Sequence, residues 1–401
     1  MLGGMQDYDF KVTHLIDHAA REHGDREHIT RWADGSETTT TWADVRRDAL
    51  RMTQALQKMG IGKGDRIATL AMNHSRHLVT WYGAVGVGGV LHTINPRLFD
   101  DQLEYIANHA EDRVMLYDAM FQPVIDKMRD KWTTIERYIC FDNGEFEEWI
   151  GEHDGDTVWA EVDERDPCML CYTSGTTGHP KGVLYEHGMF DAQVRYLHSH
   201  FGYSAEKVDL PTFPLFALFD AALGMTAVIP EMDFSRPGAG DPRKIIEPIG
   251  DHAVTHMFGS PALLDRVSRY GEANGTTLPT LKRVVTAGAP VPPVVLERMH
   301  TMLGPVAEEH TPYGATEALP VASIGSREIL SDTAERTRRG AGTCVGTPMD
   351  GLDVRIIRID DAPVAAWSDD LELPAGDIGE ITVSGSVVTR TYHNNPGATA
   401  L

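Results

Sequence analysis

The sequence predicts an α/β protein, with strands and helices alternating in a doubly wound sheet and a last, mostly β segment. Three observations predict it. Short continuous apolar runs, such as Ile67–Met72 and Met169–Tyr172, are what strands buried on both faces show. Between such runs lie segments whose apolar residues recur at helical spacing, Asp44–Met59 being the clearest. The chain of 401 residues is also far longer than one small core needs, so several subdomains are expected.

Taken in order, the N-terminal segment Met1–Asp34 carries a helix over Val12–His23. Thr38–Trp42 is a β-branched strand. Asp44–Met59 places Val45, Leu50, Met52, Leu56 and Met59 on a helix. Gly60–Arg66 is a tight turn that delivers the strand Ile67–Met72. Gly62 and Gly64 do not make a dinucleotide fingerprint, because the third glycine and the following helix are wrong. A small-residue helix over Leu78–Gly89, a strand over Val90–Asn95, a helix over Leu98–His109 and a strand over Val114–Tyr117 continue the alternation. Asp142–Asp166 is acidic, with Gly and Pro at its margins, and reads as a solvated connection between subdomains. Met169–Tyr172 is a buried strand and His187–His200 a helix, followed by the extended run Asp209–Leu215. Val284–Thr286 is a strand, and Ile356–Ile359 and Glu380–Val383 are strands of the last segment, with Gly376, Gly379 and Gly385 at its turns.

Composition narrows the function. A formal net charge of −23 repels a phosphate backbone, which argues against a nucleic-acid partner and for an acidic, solvated surface. Hydrophobic residues at 42% and charged residues at 24% are ordinary for a soluble globular chain. Cys140, Cys168, Cys171 and Cys344 have no metal-ligand spacing. The Cys168/Cys171 pair lies in an apolar strand, where core packing is favoured over redox chemistry. The histidines make no His-Glu-x-x-His pattern, and His198 and His200 read as surface residues. No apolar run approaches membrane-spanning length and no signal peptide is evident, so a cytoplasmic location is expected.

The chemistry concentrates in Tyr172–Val183, Tyr-Thr-Ser-Gly-Thr-Thr-Gly-His-Pro-Lys-Gly-Val. Gly175, Gly178 and Gly182 let the backbone turn tightly and bring N–H groups against an anion. Thr173, Ser174, Thr176 and Thr177 add hydroxyl donors, and Lys181 adds a point charge. Pro180 stiffens the turn before it. A Gly/Ser/Thr surface turn has the same composition. Against that stand the unbroken length of the stretch and the placing here of one of only nine lysines. The Gly-x-x-x-x-Gly-Lys-Ser/Thr pattern of P-loop enzymes is absent. The stretch therefore reads as a polyphosphate cradle after a strand.

A second constellation follows. The strand Val284–Thr286 ends at Ala287-Gly288-Ala289-Pro290, where a glycine lets a planar ligand approach the backbone. Thr311-Pro312-Tyr313-Gly314-Ala315-Thr316-Glu317 offers an aromatic face, a bare glycine, a hydroxyl and a hard oxygen ligand suited to Mg²⁺. A turn leading into a helix, capped by Thr316 with Glu317 in its first turn, would look the same.

Almost letter for letter, Tyr172–Val183 resembles the signature loop of the adenylate-forming superfamily of acyl-CoA synthetases, luciferases and peptide-synthetase adenylation domains. Gly64–Arg66, Ile94–Phe99 and Asn108–Val114 resemble medium-chain acyl-CoA ligases, as residues 1–120 do in general. Leu210–Asp233, Phe258–Leu263, Ala287–Pro292, Thr311–Pro320 and Gly340–Gly346 resemble olefin β-lactone synthetases, as does the span from about 208 to 400. Pro214–Asp220 occupies the place where acyl-CoA ligases carry Pro-x-Phe-His, with Ala217 at the histidine position.

The resemblance implies two doubly wound sheets with flanking helices and a small β-barrel-like subdomain, divided roughly at 1–165, 166–330 and 331–401. It implies that Thr173, Ser174, Gly175, Thr176, Thr177, Gly178 and Lys181 handle the phosphates of ATP. Gly288, Ala289, Pro290, Thr311, Tyr313, Gly314, Ala315 and Thr316 would hold adenine and AMP, and Glu317 would hold Mg²⁺. Lys181, Thr316 and Glu317 are the candidate catalytic residues. Phe216, Ala217, Phe258 and Gly259 are the candidate acyl-pocket residues, although Phe216 and Ala217 read equally as an apolar helix start in the core. The implied reaction is ATP-dependent activation of a fatty acyl carboxylic acid, with β-lactone synthesis ahead of CoA ligation; CoA enters only in the second reading. A nucleotide-binding module without complete activity is a third reading, and a homodimer is an open assembly. In the superfamily a ribose-gripping aspartate, a hinge and a lysine-bearing C-terminal domain follow; the expectation is that residues 1–401 are the large domain without that lid.

Overall fold

The computed structural model describes residues 9–173, 179–360, 362–364 and 366–400. Its strands are β1 (Glu27–Arg31), β2 (Glu37–Thr41), β3 (Arg66–Leu70), β4 (Val90–Thr93), β5 (Asp112–Tyr117), β6 (Arg137–Cys140), β7 (Pro167–Tyr172), β8 (Gly182–Glu186), β9 (Val208–Pro211), β10 (Thr226–Ile229), β11 (His256–Phe258), β12 (Arg283–Val285), β13 (Glu308–His310), β14 (Tyr313–Ala315), β15 (Ala318–Ser323), β16 (Thr347–Pro348), β17 (Asp353–Ile357) and β18 (Glu380–Ser384). Two large sheets dominate, ordered β6-β5-β3-β4-β7-β8 and β13-β12-β11-β9-β10-β1-β2. In both, the first strand of the winding lies inside, the second joins one side and the third joins the other. Pairing within each winding is parallel; in these two sheets, among the described residues, β7/β8 and β1/β2 pair antiparallel. This is the doubly wound α/β arrangement.

The helices form where sequence and capping agree. Trp42–Lys58 starts at a capping box: Asp44 N–H donates to Thr41 Oγ1 at 3.1 Å, and Thr41 N–H donates to the Asp44 carboxylate at 3.1 Å. Its buried face carries Trp42, Val45, Ala49, Met52 and Leu56. Trp42 Nε1 donates to Met225 O at 2.9 Å, tying this helix to the start of β10. One core holds the sheets together. It contains Ile67 and Leu91 of the six-stranded sheet, Ala227 and Ile229 of the seven-stranded sheet, and the apolar faces of Thr13–Glu22, Trp42–Lys58, Ser75–Gly86, His187–Ser199 and Ala217–Leu223. No helix among the described residues is long and apolar enough to cross a membrane.

The sheets do not divide at residue 165. The hairpin β1–β2 pairs through β10 with the seven-stranded sheet, while β7 and β8 close the six-stranded one. Each half lends strands to the other. The acidic stretch Asp142–Asp166 is anchored rather than merely solvated. Its helix Glu145–Gly151 buries Phe146, Trp149 and Ile150, and Trp159 Nε1 donates to Asp17 at 3.0 Å. The carboxylates outnumber the apolar residues there and hide the helical period. The strand in Asp209–Leu215 stops at Pro211. The segment after 330 opens with helical turns to Ala341 before β16, β17 and β18. Cys168 is buried and Cys171 half-buried in β7, neither in a disulfide; burial pushes the Cys171 thiol up to about 11, which suits packing rather than redox chemistry.

Candidate active site

The mouth of the glycine-rich loop is closed by its own backbone. Thr173 N–H donates to Lys181 O at 3.0 Å, and Lys181 N–H reaches Thr173 Oγ1 at 3.4 Å. Ser174, Gly175, Thr176, Thr177 and Gly178 lie outside the described residues. Beside β8 the chain returns as a further extended segment. His393 N–H donates to Gly182 O at 2.7 Å, and Val183 bridges Tyr392 in antiparallel sense.

That return brings Tyr392 between the two predicted charged groups. Lys181 Nζ lies 5.2 Å from the Tyr392 ring centroid, and the Tyr392 hydroxyl donates to Glu317 Oε1 at 2.8 Å. Burial, together with this bond to a carboxylate, pushes the Tyr392 phenol up to about 12, so it remains a donor. The Glu317 backbone is held too: Thr389 N–H donates to Glu317 O at 2.8 Å, and Tyr185 Oη donates to Thr316 O at 2.6 Å.

Thr316 and Glu317 form the turn of the β14–β15 hairpin, where Tyr313 pairs Ala322 and Ala315 pairs Ala318. Glu317 is therefore a hairpin-turn residue rather than the start of a helix. Gly314 is required by space: a Cβ there would sit 2.6 Å from Ala318 O. Tyr313, 38% exposed, presents its ring to solvent. Thr311 N–H donates to Ile324 O at 2.9 Å. Gly288 has φ +94° with open space where a Cβ would lie, and Ala289 and Pro290 are exposed beside it.

These segments share one edge. β9, β11, β12 and β13 are consecutive parallel neighbours, with Pro211 opposite Phe258, Phe258 opposite Val285 and Val285 opposite His310. The runs Thr212–Ala217, Phe258–Ser260, Thr286–Pro290 and Thr311–Glu317 thus leave their carboxyl ends together, where open parallel sheets bind ligands. On the same edge the Phe216 and Phe258 rings lie 4.3 Å apart at 31°, with Phe213, half-exposed, edge-on to both. Gly259 N–H donates to Val285 O at 3.0 Å. Ala217 is buried in the shared core, one residue past the aromatic wall.

Among the described residues no three His, Cys, Asp or Glu side chains converge as a metal cage. A single carboxylate at Glu317 suits Mg²⁺, which commonly takes one or two protein carboxylates and completes its octahedron with phosphate oxygens and water. Sequence reasoning gave no role to Tyr392 or Tyr185. Neither sits in a glycine-rich or charged pattern, so no local signal marks them.

Residues 16–393 match the family described as AMP-binding enzyme. An olefin beta-lactone synthetase of Stenotrophomonas maltophilia (strain K279a) is 39% identical over 89% of this chain and 64% of its own length. A 3-methylmercaptopropionyl-CoA ligase of Ruegeria lacuscaerulensis is 34% identical over 98% of this chain and 74% of its own. A medium-chain-fatty-acid–CoA ligase of Ectopseudomonas oleovorans is 30% identical over 100% and 74%. Among solved structures, the inhibitor-bound N-terminal domain of FACL13 from Mycobacterium tuberculosis superposes with a TM-score of 0.82 at 23% identity, over 97% of this chain and 92% of that one. The chain spans 64% of the length of the olefin beta-lactone synthetases it matches. With that match over residues 16–393, the chain belongs to the AMP-binding enzyme family.

Proposed function

We propose that the protein activates a carboxylic acid with ATP as an acyl-adenylate, and that its second step closes a β-lactone on a 2-alkyl-3-hydroxy fatty acid. The observation that carries the first step is the Lys181–Tyr392–Glu317 line, which joins the glycine-rich loop to the hairpin presenting Tyr313. A cation and a carboxylate on one rim, beside an exposed aromatic face, suit a nucleotide polyphosphate. The substrate carboxylate oxygen attacks the α-phosphorus, and the bond to pyrophosphate breaks. Lys181 offsets charge on the departing phosphates, and Tyr313 with Gly288–Pro290 orients the purine. Glu317 would hold Mg²⁺, which would supply further charge neutralisation on the phosphates. In the second step the substrate 3-hydroxyl attacks the acyl carbon and gives up its proton to solvent, the four-membered ring closes and AMP leaves with the former carboxylate oxygen. The wall of Phe216 and Phe258 would face the alkyl chains.

The lactone reading is supported by relatives named olefin beta-lactone synthetase at 39% and 38% identity. A CoA-dependent second step is the alternative, supported by ligase-named relatives that align with 98% and 100% of this chain. A cytoplasmic location fits both. The protein is incubated with ATP, Mg²⁺ and either a 2-alkyl-3-hydroxy acid or a fatty acid plus CoA, and products are identified by mass. The reading expects the acid minus one water without thiol. A thioester alone would replace it with CoA ligation, and nucleotide binding without either product would leave a binding module.

A further inference from the structure

The helix Asp100–Ala110 grips both ends of the glycine-rich loop, through two side chains one turn apart. At the entering end, Tyr172 is the last residue of β7, and its hydroxyl lies 2.7 Å from His109 Nδ1. Burial raises the Tyr172 phenol far above its ordinary value and lowers His109. The phenol therefore keeps its proton and His109 is neutral, and the His109 tautomer sets which of the two donates. At the leaving end, the His179 ring stacks on Tyr105 with centroids 4.4 Å apart at 24°. Tyr105 in turn stacks on His109 at 5.0 Å and 21°. Residues 105 and 109 are i and i+4, so their rings stand on one face of the helix. His393 sets its edge against His109 at 5.5 Å while its N–H holds Gly182 O. The rings of His179, Tyr105, His109 and His393 thus form one cluster that meets the chain at Tyr172 and His179, beside Thr173 and Lys181.

We propose that Tyr105 and His109 are positioning residues for the polyphosphate end of the nucleotide. They act through Tyr172 and His179, which flank Thr173 and Lys181, and they touch no ligand. The proposal rests on the reading that Lys181 meets the phosphates of ATP. Fixing a lysine and its backbone to meet a phosphate costs conformational entropy. Holding Thr173 and Lys181 in place before the ligand arrives removes part of that cost and raises affinity without a new contact. The effect is confined to ligands that reach Lys181. ATP does; AMP, held by Tyr313 and Gly288–Pro290, does not.

Calorimetric affinities for ATP·Mg²⁺ and for AMP are compared in the unmodified chain and in Tyr105→Ala, Tyr105→Phe, His179→Ala and Lys181→Ala, with melting followed for each. Tyr105→Ala is expected to weaken ATP about two- to tenfold, the factor that loss of one aromatic pair converts to, and AMP less than about twofold. Tyr105→Phe keeps the ring and restores ATP affinity. Exposed His179 can be removed without touching the core, so His179→Ala repeats the effect if Tyr105→Ala fails to fold. ATP affinity unchanged in Tyr105→Ala or His179→Ala while Lys181→Ala weakens it would overturn the proposal. So would equal weakening of ATP and AMP, which marks a merely structural stack. ATP affinity unchanged in Lys181→Ala would overturn the reading of the loop itself, and the proposal with it.

Discussion

The Tyr392 hydroxyl donates to Glu317 Oε1 at 2.8 Å, across 75 residues of sequence. This bond engages Oε1, and in the proposed reading Oε2 would face Mg²⁺. Tyr392→Phe keeps the ring beside Lys181 and frees the carboxylate. Ordering one side chain costs on the order of 1 kcal/mol, so the Mg²⁺ concentration for half-maximal adenylation should rise about fivefold. A Mg²⁺ titration of the rate checks this, and an unmoved midpoint would remove Tyr392 from the site.

Glu317→Gln keeps an oxygen that can accept from Tyr392, so melting should change by no more than about 0.5 kcal/mol. The charge is lost. Adenylation should fall about a hundredfold, the scale of removing one electrostatic stabiliser. A variant with the same rate and the same Mg²⁺ dependence would reduce Glu317 to a turn residue.

Two glycines of the site should fail differently. In Gly314→Ala the new Cβ meets Ala318 O at 2.6 Å and Leu319 Cδ1 at 2.8 Å, so the hairpin should lose about 1–3 kcal/mol. In Gly288→Ala the Cβ meets nothing within 4 Å, and φ +94° alone costs about 1–2 kcal/mol. That Cβ would instead occupy ligand space. Urea unfolding beside AMP titration separates them: both variants lose stability, and Gly288→Ala loses AMP affinity as well.

The core predicts a pH dependence. Asp209 on β9 and Asp220 on the helix Ala217–Leu223 are buried together; burial raises both carboxyls, and Asp209 raises Asp220 further. Their folded values lie above the unfolded ones. Their contribution is thus fully present below the unfolded carboxylate value of about 4 and is lost as pH rises through the raised folded values. Asp209→Asn removes that group, so the unfolding free energy of the variant relative to the unmodified chain should rise with pH between pH 5 and pH 7, by up to about 1.4 kcal/mol per pH unit for one proton. Denaturant unfolding at pH values across that window checks it; an unchanged slope would contradict it.

The α/β class was legible because β3 and β7, interior in their sheet, leave short, largely apolar runs such as Ile67–Leu70. The strand Glu27–Arg31 was not legible. It is short and mixed, and its edge partner is a threonine run exposed along most of its length. Sheet membership was hidden as well, since nothing local tells β1 that its parallel neighbour is β10, two hundred residues on. The site divides the same way. The runs Tyr172–Val183 and Ala287–Pro290 put the proposed nucleotide-binding groups side by side in sequence, so composition points to them. Tyr392 reaches Glu317 only because the chain returns beside β8, and the helix bearing Tyr105 and His109 meets the loop only in three dimensions.

The measurement closest to the central claim follows oxygen. A carboxylic acid labelled with ¹⁸O in both carboxylate positions is incubated with the protein, ATP and Mg²⁺, and the nucleotide product is examined by mass. Attack of the carboxylate on the α-phosphorus predicts AMP carrying one ¹⁸O, with unlabelled pyrophosphate, whichever acceptor takes the acyl group. Unlabelled AMP, or ADP with label in orthophosphate, would contradict acyl-adenylate formation and the roles assigned to Lys181 and Glu317.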